Sequence, residues 1–130
     1  MEANDQIFFG CTLSDTNTCA TWDLIKEDDF RCNKLVIKQI LLDADAKNDE
    51  YNVVEVMSSR DLVKIPIAVL KAGEQRMAIP DLEFYESNVT FSLIRGSGPV
   101  HMCGHIVREY VDIMYVSKDG HQTHKYPRLS

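Results

Sequence analysis

The 130-residue chain lacks most features that announce a membrane protein, a secreted scaffold or an enzyme. It has no run of about 18 apolar residues, which excludes a helical membrane span. Its start, MEANDQIFFG, has neither the basic residues nor the long apolar stretch of a secretory signal. The four cysteines (Cys11, Cys19, Cys32 and Cys103) fall at irregular spacings with no CxxC pair. Free thiols in a reducing compartment fit better than a disulfide framework, so the expected setting is intracellular and soluble. Patterns GxGxxG, GxxxxGKS/T and HExxH are all missing. Internal repeats, low-complexity segments and sustained helical spacing are missing too.

What remains is one domain by length, with an ordinary 45% of hydrophobic residues and enough chain to bury its own core. Charge is uneven. The whole chain carries −6. Residues 1–112 hold 19 acids against 11 bases, or −8, while Lys118, Lys125 and Arg128 against Asp119 leave residues 113–130 at +2. The acids cluster at Glu27-Asp28-Asp29, between Asp43 and Glu50, and between Asp81 and Glu86. Such a body repels nucleic acid and favours basic partners, though a solvated acidic face accounts for the composition equally well.

Strand signals recur along the chain. Gln6–Leu13, Cys19–Leu24, Lys34–Leu42, Tyr51–Met57, Val63–Leu70, Asn88–Ile94 and Val100–Val107 are short, rich in β-branched or aromatic residues and separated by polar turns. Val63, Ile65, Ile67 and Val69 alternate on one face, as do Val89, Phe91 and Leu93. Seven or eight strands of this kind predict an all-β antiparallel sandwich or jelly roll. The end of the chain, SKDGHQTHKYPRLS, reads as a polar, mobile tail.

Two strands depart from a simple sandwich. KLVIKQILL is apolar on both faces, with Leu35, Ile37 and Leu41 on one and Val36, Ile40 and Leu42 on the other. YNVVEVM sets Val53 opposite Val54 and Val56. A half-exposed antiparallel strand shows polar residues outside, so a second subunit or the chain's own loops must cover the other face. Val36, Ile40, Leu42, Val54 and Val56 are therefore the expected subunit contacts.

The segment RGSGPVHMCGH asks whether it is a metal site, a reactive thiol or a turn into a strand. His101, Cys103 and His105 alternate, so a strand points all three to one side, and Glu109 completes four ligands on paper. Along one strand, however, the three span about 13 Å at ~3.3 Å per residue, too far to share an ion. No base and nucleophile are paired by any motif. Gly96 and Gly98 suit positive φ at a tight turn, and Pro99 fixes φ as the strand starts. The expectation is a structural turn, with no metal, no cofactor and no catalytic residue.

Four stretches then carry a resemblance. GSGPVH, the opening FFGCTL, AKNDEYNVVEV at Ala46–Val56 and IPIAVLKAG at Ile65–Gly73 occur in order. Together they resemble the nucleoplasmin/nucleophosmin family of histone chaperones, most closely its invertebrate nucleoplasmin-like members. The resemblance covers about residues 6–108. It implies an eight-stranded jelly roll in a pentameric ring, sometimes stacked into decamers, and a core domain over residues 1–108; residues 109–130 read as a short polar tail whose basic character lies in residues 113–130. It also implies core histones as partners, chromatin assembly and a nuclear location, with no direct nucleic-acid binding by the core and no membrane.

By the same resemblance, Glu27, Asp28 and Asp29 form the histone-binding acidic loop, and Lys47, Asn48, Asp49 and Glu50 the ring–ring contact. Two features depart from the family pattern. The long Asp/Glu runs and basic import segment that normally follow the core are absent from residues 108–130. The loop reads AKNDE, one residue longer than the four-residue form. Two readings stand, a histone chaperone core and a pentameric adaptor that holds histones poorly. A metal-dependent jelly-roll enzyme is the third.

Overall fold

A computed structural model describes residues 4–23, 31–59, 62–85 and 88–110. They form nine strands: β1 Asn4–Leu13, β2 Cys19–Asp23, β3 Arg31–Leu42, β4 Tyr51–Ser58, β5 Val63–Lys71, β6 Met77–Ala78, β7 Leu82–Tyr85, β8 Asn88–Arg95 and β9 Val100–Tyr110. One sheet runs β1-β9-β3, with both β6 and β7 on the far side of β3. The other runs β2-β8-β4-β5. Every strand pairing is antiparallel. The sheets stack with β1 against β2 at one lateral edge and β5 against β6 at the other.

The all-β antiparallel expectation holds, with more strand segments than expected. Strands β6 and β7 went unread because they are two and four residues long. In β7 the acids around Leu82 and Phe84 hide an alternation that buries Phe84.

Between the sheets lies one apolar core, led by Phe9, Leu13, Leu35, Ile37, Leu70, Phe91 and Met102. Aromatic rings cross the gap. Phe9 of β1 meets Trp22 of β2 edge-on at 4.5 Å between centroids, and Phe84 of β7 meets Phe91 of β8 at 5.9 Å and 79°. Burying each such side chain contributes about 1.5–3 kcal/mol, so this layer dominates the fold's stability.

The expected subunit contacts need correction. Ile40, Leu42, Val54 and Val56 belong to this internal core, and Val36 is likewise buried within the single chain. The reason is a break in period. The pairing of β3 with β9 shifts between Ile37 and Gln39, so Leu35 and Ile37 face inward before the bulge and Ile40 and Leu42 face inward after it. Much of what reads as two apolar faces is one face with a residue inserted, while Val36 and Leu41, opposite His105 and His101, stay on the outer face. Strand β4 instead keeps an unbroken period of two that buries Asn52, Val54, Val56 and Ser58, and the register shifts beside it place the extra residue in its partners β5 and β8.

Gly104 marks the bulge from the opposite strand. A Cβ there would fall on the carbonyl oxygen of Val36, so only glycine lets β3 and β9 approach this closely.

Candidate functional site

Strand β3 ends at Leu42, and the chain needs a loop to reach β4. Asp43 begins it and is bonded from several directions. Its N–H donates to the Pro99 carbonyl at 2.9 Å, and its own carbonyl accepts from Ala46 N–H and the Arg76 guanidinium. Its carboxylate accepts the Asp45 N–H at 2.9 Å and lies 2.8 Å from Nε2 of His101. The other imidazole nitrogen, Nδ1, meets the Thr12 hydroxyl at 2.9 Å. The His101 bond and then the Asp45 N–H hold the Asp43 carboxyl below the usual range. His101 therefore joins β1, β9 and the loop.

The loop's other end is tied to the glycine turn. Glu50 accepts from both the hydroxyl and the N–H of Ser97, at 2.6 and 3.2 Å. The hydroxyl first, then the N–H, depress the Glu50 carboxyl. Asn52, fully buried, takes the Gly98 N–H on its amide oxygen at 2.8 Å and donates to the Glu50 carbonyl. Gly96 and Gly98 have φ of 93° and 65°. A Cβ on Gly98 would come within 2.8 Å of the Leu13 carbonyl oxygen, so the turn is specific to glycine.

Held at both ends, the loop presents Lys47, Asn48 and Asp49 to solvent, while the Glu50 carboxylate turns in to Ser97. Asn48 also bridges to Ala72, and Asp49 has a positive φ of 58°. Beside the loop, the Tyr51 ring lies under two cations, with Lys71 Nζ 4.5 Å and the Arg95 guanidinium 5.3 Å from its centroid. The Glu74 carboxylate, 3.3 Å from Lys71, holds that ammonium's pKa up.

The acidic triplet Glu27, Asp28 and Asp29 lies outside the described residues, as do residues 111–130. Of the third acidic cluster, Asp81 pairs with Lys38 at 2.9 Å, and Glu83 accepts the Tyr85 hydroxyl at 2.6 Å. His101, Cys103 and His105 share the outer face of their sheet, but His101 is committed to Thr12 and Asp43, and Cys103 donates weakly to Gln39. Among the described residues, no three His, Cys, Asp or Glu side chains are gathered to hold a metal. Burial raises the Cys11 thiol.

The sequence reading missed Asp43, Thr12, Asn52 and Ser97 as partners of this loop. One signal was legible in hindsight, because Asn52 occupies an inward position of an otherwise apolar strand, where an amide must find partners.

Known proteins match this arrangement. The nucleoplasmin/nucleophosmin domain matches residues 6–110. The chain is 54% identical over 115 residues to the nucleoplasmin-like protein of Drosophila melanogaster, covering 88% of this chain and 75% of that protein. It is 38% identical to NO29 of Xenopus laevis and to human nucleoplasmin-3, of which it spans 58% and 57%. Its fold is similar to the Drosophila NLP core, at a TM-score of 0.73 and 59% identity over 78% of this chain and 95% of that one. The crystal structure of that core provides insight into pentamer formation and histone binding. With the all-β sandwich, the tied loop and the glycine turn in place, the chain belongs to the nucleoplasmin/nucleophosmin family.

Proposed function

We propose that this chain is the core of a histone chaperone, a homopentameric ring that binds core histones in the nucleus for storage and chromatin assembly. The observation that carries this reading is the 59% identity to a core whose structure bears on pentamer formation and histone binding. Charge supports it, since five copies of a −6 chain carry −30, a field that draws in and shields a basic partner. The exposed trio Lys47, Asn48 and Asp49, with both signs of charge on a firmly held loop, suits a self-complementary contact between two rings.

A second reading is favoured by one observation. Asp43, Glu50, Glu74 and Asp81 already bond within the chain, which leaves fewer carboxylates for a partner. On that reading the ring is an adaptor with weak histone affinity. Light scattering of the protein with and without purified core histones separates the two. A chaperone core gains mass at low ionic strength and releases histones as salt rises. No mass gain at low salt leaves the adaptor.

A further inference from the structure

Next to the tied loop, the outer face of the β2-β8-β4-β5 sheet gathers cations, a ring and apolar groups. Tyr51, Val53 and Glu55 alternate outward along β4. On one side the register sets Lys71 and Val69 of β5 beside Tyr51 and Val53. On the other side it sets Arg95 of β8 beside Val53. The Tyr51 ring thus draws a cation from each neighbouring strand, with 39% of its own surface left open. The shift between β4 and β8 skips Ile94, which is half exposed, as is Val69.

The two cations differ in what neutralises them. Lys71 already faces the Glu74 carboxylate at 3.3 Å. Arg95 has the ring and no acid: among the described residues no ion pair includes it, whereas Lys34, Lys38 and Lys71 each have one. A guanidinium fork pairs a carboxylate with two parallel hydrogen bonds, so the group that Arg95 lacks is a carboxylate. Resting on the ring, it also loses less freedom on binding than a loose side chain. Tyrosine and arginine beside exposed aliphatic groups have the composition of a binding hot spot rather than of a solvated face. Glu55, next outward on β4, bounds the patch, so a short acidic element fits it and a long polyanion does not.

We propose that this patch is a second binding surface, where Arg95 and Tyr51 take a carboxylate from a short acidic and apolar segment of another protein. Val53, Val69 and Ile94 receive the apolar side chains that flank that carboxylate. The net charge of −6 opposes an acidic ligand at long range. At physiological salt, however, charges more than about 8 Å apart are largely screened, and the local contact decides. The chain then has sites for partners of opposite charge, and this one does not depend on the reading of the ring as a binder of basic proteins.

The test is fluorescence anisotropy at physiological ionic strength with a short fluorescein-labelled peptide that alternates glutamate with leucine. A second peptide carries glutamine in place of every glutamate. The parent is expected to bind the glutamate peptide roughly tenfold more tightly than the glutamine peptide, the ratio for one charge-assisted pair. Arg95→Gln is expected to lose that preference and Tyr51→Ala to reduce it, while Lys38→Gln, on the other sheet, keeps it. Equal binding of both peptides by the parent, binding of neither, or a preference that survives Arg95→Gln overturns the proposal. Light scattering is expected to give the parent and Arg95→Gln one mass. A lower mass for the variant assigns the patch to self-association and also overturns the proposal. If circular dichroism shows Arg95→Gln unfolded, Arg95→Lys takes its place, because it keeps the charge and loses the fork. That variant is expected to retain only part of the preference, and an undiminished preference counts against the proposal.

Discussion

Asp43 and His101 meet at 2.8 Å, carboxylate to imidazole, and so fasten the first residue of the β3–β4 loop to the middle sheet strand β9. The imidazole reaches Thr12 of β1 on its other side. A histidine that resembles a metal ligand in the sequence is a clamp in the fold.

The clamp has a pH signature. Asp43 is depressed by His101 and by the Asp45 N–H, so its contribution is present above the ordinary aspartate range of about 4 and is lost as pH falls below it. Thermal melts of the parent and Asp43→Asn are expected to differ at pH 6 and to converge on acidification through the region below pH ~4. A difference that persists unchanged at the lowest pH removes this account.

Asn52 is the partner of a buried N–H in the glycine turn. Asn52→Ala is expected to cost about 1–3 kcal/mol in urea unfolding, because the Gly98 N–H loses its acceptor. Gly98→Ala adds strain at positive φ against the Leu13 carbonyl and is expected to cost more than about 1 kcal/mol.

Core and edge respond differently to the same change. Ile40→Ala is expected to lose about 2–5 kcal/mol of stability, and Ile40→Asp to abolish folding. Ile65→Ala, at an exposed edge, is expected to stay within about 0.5 kcal/mol in the dissociated subunit. Equal losses in the two unfolding curves contradict the placement of these residues.

Histone capture is expected to depend on the acidic triplet. Three adjacent carboxylates repeated around a ring act together, whereas single exposed ion pairs are worth little. Changing Glu27, Asp28 and Asp29 to Gln or Asn is expected to weaken histone binding with the oligomer's mass unchanged. Undiminished binding at moderate ionic strength makes the triplet a solvated turn.

Ring stacking is expected to answer to the exposed loop residues. Asp49→Lys puts like charge beside Lys47 and is expected to remove any ten-subunit species in light scattering while leaving the five-subunit mass intact. Loss of both species assigns the loop a different role.

Much of the molecule was legible before any fold was seen. Short runs rich in β-branched and aromatic residues, set off by polar turns, identified seven of the strands, because such side chains suit a pleated, half-buried surface. GSGPVH announced its turn, since glycine and proline act through their own backbone limits. Four ordered motifs identified the family. The errors lay where pattern meets partner. KLVIKQILL looks two-faced in isolation, and only its pairing with β9, broken at Lys38 and fitted to Gly104, turns Ile40 and Leu42 into the core. The roles of His101, Asn52 and Glu50 were also hidden, because their partners lie far along the chain and meet only when the sheets form. The exposed edges are likewise a property of strand order. Sequence sets which residues are apolar, but the arrangement of β1 and β5 at opposite ends of two stacked sheets decides which of them stay uncovered.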